Sequence, residues 1–206
     1  MMNGECMRKI IVVLICLAFC VTLAACRHDQ TAAQPDTVLG KWTTQIDLTE
    51  TVNQMVYGQT GTESVTSYFP VTLILTLQQD GAYSVEIDRA ELDAQLDLLG
   101  DVFWQAVVDQ TVTKSQLSAA DAEQALLDQG KNKELLMRQL NLESLFQNRY
   151  EETGVWTDNS QALYFAENAA LLKGAEEYPY TLDTTLSVTQ KTQDGAEKTV
   201  VFIRSE

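Results

Sequence analysis

Apolar and polar residues alternate along several short stretches of the chain, and this period of two predicts β-strands with one buried face. The first such stretch is Gly40–Leu48, where Trp42, Ile46 and Leu48 share one side. The second is Tyr68–Gln79. Its buried face is expected to carry Val71, Leu73, Leu75 and Leu77.

A hairpin is predicted where Asp80-Gly81 follows the second strand, because Asp and Gly tolerate the positive φ values of tight turns. The returning strand, Ala82–Asp88, is expected to point Tyr83, Val85 and Ile87 inward. Between the first two strands, Met55–Tyr57 is expected to form a short helix or turn.

The period becomes helical from Arg89 onward, where apolar residues recur every three or four positions. We expect Gly100-Asp101 to divide the first helix, since glycine disfavours a helix interior and aspartate begins helices well. A second helix should follow Ser118 and stop at Gly130, and a third should begin after Asn132 and restart at Asn141. These helices form a predicted insertion over about 89–151.

Strand patterns return after the helices and bring the total to eight. They cover Gly154–Thr157, Gln161–Ala166, Glu177–Asp183, Thr184–Gln190 and Glu197–Arg204. Short consecutive strands with tight turns favour an antiparallel meander that curls into a barrel or half-barrel. The expected fold class is therefore α+β, with one domain over 39–206 and the helical insertion between strands 3 and 4.

The N-terminal segment has the pattern of a secretory signal. Arg8 and Lys9 precede the apolar run Ile10–Ala25, which is shorter than the roughly 20 residues that a spanning helix needs. The run ends in Leu23, Ala24, Ala25 and Cys26, which resembles a bacterial lipobox.

The lipobox resemblance implies that residues 1–25 are removed and that Cys26 receives a diacylglyceryl group. The alternative is a plain signal peptide in which Cys26 has no role. Residues 26–38 are expected to form a lipidated flexible tether. The protein would then be held by its acyl chains on the extracytoplasmic face of a membrane, at the outer surface or the periplasmic side according to the envelope.

Composition removes several classes of function. The formal charge is −15, so nucleic acid and other polyanions are not expected partners. Cys26 would be the sole mature thiol of the four cysteines, which argues against a disulfide framework. The single histidine, His28, lies in the tether, so serine or cysteine nucleophiles, zinc sites and other cofactors are not expected.

Carboxylates are plentiful, but their spacing is ambiguous. Asp93, Asp97 and Asp101 recur every four residues, which is compatible with a calcium cluster or a general-acid pair, although a solvated helix face is the simpler interpretation. The adjacent Glu151 and Glu152 are interpreted in the same way. A carboxylate-dependent hydrolase is a third hypothesis of function, without a motif to support it.

Three motifs resemble those of bacterial lipocalin-like lipoproteins with a helical insertion, a largely uncharacterised group. They are Leu39-Gly40-Lys41-Trp42, Asp80-Gly81-Ala82-Tyr83 and Gly154-Val155-Trp156. The resemblance implies that Trp42 packs at the closed end of a barrel against an arginine of a late strand, for which Arg204 is the candidate. The alternative is that both Gly-x-Trp motifs serve packing alone.

We therefore expect a binding protein. The first hypothesis is a small apolar ligand held in a cavity with the helices as its cover. The expected lining residues are Leu73, Leu75, Val85, Phe165, Leu186 and Val188. The second hypothesis is an envelope protein that docks on the helical insertion.

Overall fold

The computed structural model describes residues 37–60, 65–192 and 195–205. The predicted signal, the lipobox with Cys26, and His28 lie outside these residues. Val38, which we had assigned to the tether, is buried and belongs to the folded part.

Eight strands form a closed antiparallel barrel in simple sequential order, and the last strand pairs with the first. This confirms the predicted α+β fold with an antiparallel meander, and of the two expected forms it is a full barrel instead of a half-barrel. It is also the kind of barrel that the lipocalin-like motifs imply. The strands are β1 Gly40–Asp47, β2 Pro70–Leu77, β3 Ala82–Ile87, β4 Glu152–Asp158, β5 Ala162–Ala166, β6 Glu177–Leu182, β7 Thr185–Lys191 and β8 Glu197–Arg204.

Five α-helices lie in the described residues. They are α1 Thr49–Thr60, α2 Arg89–Ser115, α3 Ala119–Asp128, α4 Lys133–Leu140 and α5 Leu142–Tyr150. Helix α1 realises the short helix expected around Met55, and α2 to α5 form the insertion between β3 and β4.

The predicted hairpin joins β2 and β3, with Leu75 opposite Val85 and Leu77 opposite Tyr83. Gly81 has a φ of +83°, and the Asp80 carboxylate accepts a hydrogen bond from the Ala82 amide at 3.0 Å. The Asp-Gly pair therefore makes the turn for the reason that the sequence suggested.

The polar residues that predicted the helix ends act as caps in the structure. The Ser118 hydroxyl accepts a hydrogen bond from the Asp121 amide at 3.2 Å, and the Asn132 side chain accepts one from the Leu135 amide at 2.8 Å. Asn141 ends α4 in the left-handed conformation, with a φ of +49°.

The expected break at Gly100 is wrong, because α2 continues from Arg89 to Ser115. A Cβ atom at Gly100 would lie 3.2 Å from side-chain carbons of both Lys133 and Met137. The missing side chain therefore lets α4 approach α2 closely, and this packing compensates for the low helix propensity of glycine.

The chain divides into two compact units. Of the described residues, the barrel unit takes those up to Ile46, Thr72–Asp88 and those from Gln147 onward, while the helical unit takes those within Asp47–Val71 and Arg89–Phe146. The barrel core includes Val38, Trp42, Leu75, Leu77, Tyr83, Leu163, Tyr178, Leu186 and Val188. Within the helical unit, a core cluster forms from Val108, Ala122 and Leu126.

Candidate functional site

A cavity of about 80 Å³ lies inside the barrel, and every strand contributes at least one residue to its wall. The wall is apolar over most of its area. The lining residues are Thr44, Leu73, Leu75, Tyr83, Val85, Glu152, Phe165, Tyr178, Val188, Val200 and Phe202. A closed barrel brings these residues together because the inward positions of all eight strands converge on one axis.

Five of the six residues predicted to line a cavity do so, namely Leu73, Leu75, Val85, Phe165 and Val188. The sixth, Leu186, is fully buried and is not part of the cavity wall. It lies two positions before Val188 on β7 and therefore has the same parity along the strand.

The most polar part of the wall is a hydrogen-bonded pair formed by Tyr83 of β3 and Glu152 of β4. The Tyr83 hydroxyl donates to Oε1 of Glu152. Register explains how they meet: Val85 stands opposite Glu152 and Tyr83 stands opposite Gly154. A Cβ atom at Gly154 would lie 2.8 Å from a ring carbon of Tyr83, so the glycine leaves the room that this ring occupies.

The second carboxylate oxygen of Glu152, Oε2, is buried and has no hydrogen-bond partner within the described part of the chain. Burial raises the pKa of Glu152, the nearby Glu167 raises it further, and the Tyr83 hydrogen bond opposes them. Burial also raises the pKa of Tyr83, and the hydrogen bond to Glu152 adds to this effect. The phenol therefore stays protonated and its hydrogen stays directed at Glu152.

An aromatic wall supports this pair. The ring of Phe165 meets that of Tyr83 edge to face at a centroid distance of 4.9 Å, and it meets that of Tyr178 at 5.7 Å in a similar geometry. These contacts restrict the rotation of Tyr83, so the direction of its hydroxyl is set by packing as well as by Glu152.

Gln190 is a second unusual polar residue in the barrel. It lies on β7 at the same parity as Val188, is 2% exposed, and neither of its amide atoms has a hydrogen-bond partner among the described residues. It is not part of the cavity wall.

Trp42 and Arg204 lie together, as the lipocalin-like pattern implies. The guanidinium carbon of Arg204 is 5.4 Å from the centre of the indole ring, and the two residues are opposite each other in the pairing of β1 with β8. The indole donates to the Val38 carbonyl at 2.7 Å, and Arg204 donates to the Leu39 carbonyl at 2.8 Å. These contacts use the polar groups for structure and give this end of the barrel a packing role.

Two of the three aspartates at four-residue spacing bind a lysine of the same unit. Lys133 of α4 donates to Asp97 at 2.8 Å and to Asp101 at 2.7 Å, and all three side chains are well exposed. The two hydrogen bonds raise the pKa of Lys133. No group of potential metal ligands occurs among the residues that the structure describes.

Glu152 is a site residue for which the predicted environment is wrong. The pattern predicts that Glu151 and Glu152 are both solvated, whereas Glu152 begins β4 and its Oε2 atom is buried. The available signal was parity: Glu152 is in phase with Gly154 and Trp156 along the strand. A strand that starts two residues earlier than predicted brings this carboxylate into the barrel.

Within the described ranges, no helix combines the length and apolar composition needed to cross a bilayer. Comparison of the chain with protein-family models, with curated proteins and with solved structures gives no match.

Proposed function

We propose that this protein is an exported lipoprotein whose barrel binds a small apolar ligand. The observation that carries the proposal is the cavity in the barrel, whose wall is apolar apart from four residues with polar groups. Ligand sites in proteins are typically apolar cavities with few, well-placed polar groups, and barrels are common hosts for them.

The volume limits the ligand. About 80 Å³ exceeds the roughly 30 Å³ that one water molecule occupies in the liquid, but it is about half of a 150 Å³ apolar cavity that accepts benzene. Drug-sized ligands use roughly 300–1,000 Å³. The ligand we propose is therefore a molecule of a few heavy atoms, or the end of a narrow alkyl chain.

Xenon and n-butanol test ligand binding in the full chain, with the midpoint of thermal unfolding as the readout. Both probes should raise the midpoint of the wild type, because binding to the folded state stabilises it. Val200→Phe should abolish this effect, since Val200 lines the cavity. Its matched control is Val201→Phe, which places the same ring at an exposed neighbouring position of β8.

Two results would refute the proposal. One is the absence of stabilisation by either probe in the wild type. The other is equal stabilisation of the wild type and Val200→Phe, which would show that the probes bind elsewhere.

We also propose that acyl chains on Cys26 hold the protein at a membrane. Each buried methylene group contributes about 0.8 kcal/mol, so two or more chains suffice for stable attachment of an acidic protein. Cys26→Ser should abolish labelling by a fatty-acid analogue and move the protein from the membrane fraction to the soluble fraction. Cys20→Ser, which alters a cysteine of the predicted signal, should change neither result. Retention of the label in Cys26→Ser would refute the anchor.

A second candidate function is docking of another envelope protein on α2. The supporting observation is that Leu98 and Val102, four residues apart on one side of α2, are 62% and 51% exposed. Replacing both with Asp should remove specific crosslinks in cells, whereas Gln110→Asp, at an exposed polar position of the same helix, should not. An unchanged crosslinking pattern in the double variant would refute docking at this face.

A further inference from the structure

The polar part of the cavity wall offers hydrogen-bond acceptors. Oε2 of Glu152 is buried without a partner, and the hydroxyl hydrogen of Tyr83 is already directed at Oε1. None of the described residues that line the cavity is Lys, Arg or His. A ligand group that donates hydrogen bonds would therefore meet an available acceptor, whereas a group that only accepts would not.

We propose that the cavity selects ligands whose small apolar body ends in an ammonium group, and that this group donates a hydrogen bond to Oε2 of Glu152. The inference rests on the proposed function of the barrel as a ligand-binding site and specifies the chemical class of the ligand.

An ammonium group suits this site better than a neutral donor because it brings a positive charge as well as hydrogen-bond donors. A buried carboxylate is unfavourable unless a charge or hydrogen bonds compensate it, and an alcohol would leave the negative charge uncompensated. Glu167 acts on the same carboxylate with like charge, which increases the preference for a cation. An anionic ligand would be repelled by the same groups.

Two further observations agree with this selection. Burial makes an uncompensated negative charge on Glu152 unfavourable, and a bound ammonium group supplies the compensating positive charge. The net charge of −15 attracts organic cations toward the protein over a distance set by ionic strength.

The test compares three probes with the same four-carbon body: n-butylammonium, n-butanol and butyrate. Their dissociation constants are measured for the full chain by nuclear magnetic resonance titration at neutral pH. We expect n-butylammonium to bind at least about tenfold more tightly than n-butanol, because hydrogen bonds to a charged group are stronger than those between neutral groups. Butyrate should bind most weakly of the three.

Two variants test whether the preference for n-butylammonium depends on Glu152. Glu152→Gln should bring the affinities for n-butylammonium and n-butanol to within about twofold of each other, because the amide keeps the shape but removes the charge. Glu86→Gln is the matched control, since Glu86 is an exposed residue of β3 outside the cavity wall. It removes the same charge from the barrel and should retain the wild-type preference.

A measurement on the wild type does not depend on the folding of Glu152→Gln. The ¹³C shift of the Glu152 carboxyl carbon should move when n-butylammonium is added and should move much less with n-butanol.

The possible outcomes distinguish a failure of the proposed ligand-binding function from a failure of the ammonium assignment. Binding of none of the three probes would remove the proposed function together with this inference. Equal affinity for n-butanol and n-butylammonium in the wild type, an undiminished preference in Glu152→Gln, or an unchanged carboxyl shift would overturn the ammonium assignment alone and leave a purely apolar site.

Discussion

Gly154→Ala is a single-methyl substitution that we expect to disturb the barrel severely. The added Cβ atom would lie 2.3 Å from the carbonyl oxygen of Ala166 on β5 and 2.8 Å from a ring carbon of Tyr83. Both distances are below van der Waals contact, and the nearer atom belongs to the backbone of a paired strand. The strand and the ring must therefore both move.

The expected loss of stability in Gly154→Ala has two contributions. Forcing an extra methyl group into a packed interior costs about 1–3 kcal/mol. Displacement of the Tyr83 ring also weakens its hydrogen bond to Glu152, which is worth roughly 1 kcal/mol or more. We expect a total loss of about 2–4 kcal/mol in the free energy of unfolding, which is a large fraction of the roughly 5–15 kcal/mol typical of folded proteins. For a chain of this size the loss lowers the thermal midpoint by about 5–15 °C.

Urea unfolding followed by tryptophan fluorescence measures the loss. Gly174→Ala is the control, because no atom lies within 4 Å of a Cβ placed there and the residue belongs to the same unit. Replacement of glycine by alanine also restricts the unfolded chain, by about 0.4–1 kcal/mol, and the control contains that effect as well. Equal unfolding midpoints for the two variants would refute the steric role of Gly154.

Three other predictions concern stability. Arg204→Ala should lower the free energy of unfolding by about 1–2 kcal/mol, because it removes the contact with Trp42 and the hydrogen bond to Leu39. An unchanged free energy of unfolding in urea would contradict this structural role. Asn132→Ala should lower the free energy of unfolding by about 0.5–2 kcal/mol, because it removes the N-cap of α4. Asn132→Asp keeps the hydrogen-bond acceptor and should lower it much less. Equal losses of stability in the two variants would exclude the capping role. Folding raises the pKa of Glu152, so this residue contributes stability that is complete below its ordinary pKa and is lost as the pH rises through the raised pKa. The free energy of unfolding of the wild type relative to Glu152→Gln should therefore fall as the pH rises above the ordinary carboxyl pKa of 4.5, and a difference that stays constant with pH would contradict the raised pKa.

The strands could be predicted from the sequence because the signal for a strand is local. Side chains of successive strand residues point to opposite faces, so an amphipathic strand shows its buried face directly in its pattern. The hairpin at Gly81 and the caps at Ser118 and Asn132 are equally local, since each depends on hydrogen bonds or backbone conformation within a few residues. These elements agree with the structure within one or two residues at most boundaries.

Gly100 shows where local reasoning fails. Its low helix propensity is real, but the close approach of Lys133 and Met137 from α4 determines the outcome. That approach joins residues more than 30 positions apart, and no local pattern reports it.

The chain pattern alone established the number of strands, the place of the helical insertion and most of the apolar residues that face the cavity. Tertiary structure decided that the barrel closes, that Leu186 packs in the core, and that Glu152 meets Tyr83 with one oxygen buried and unpaired. The physical reason is register: alternation tells which side a residue faces, but only strand pairing across a distance of 69 residues brings this carboxylate to that phenol.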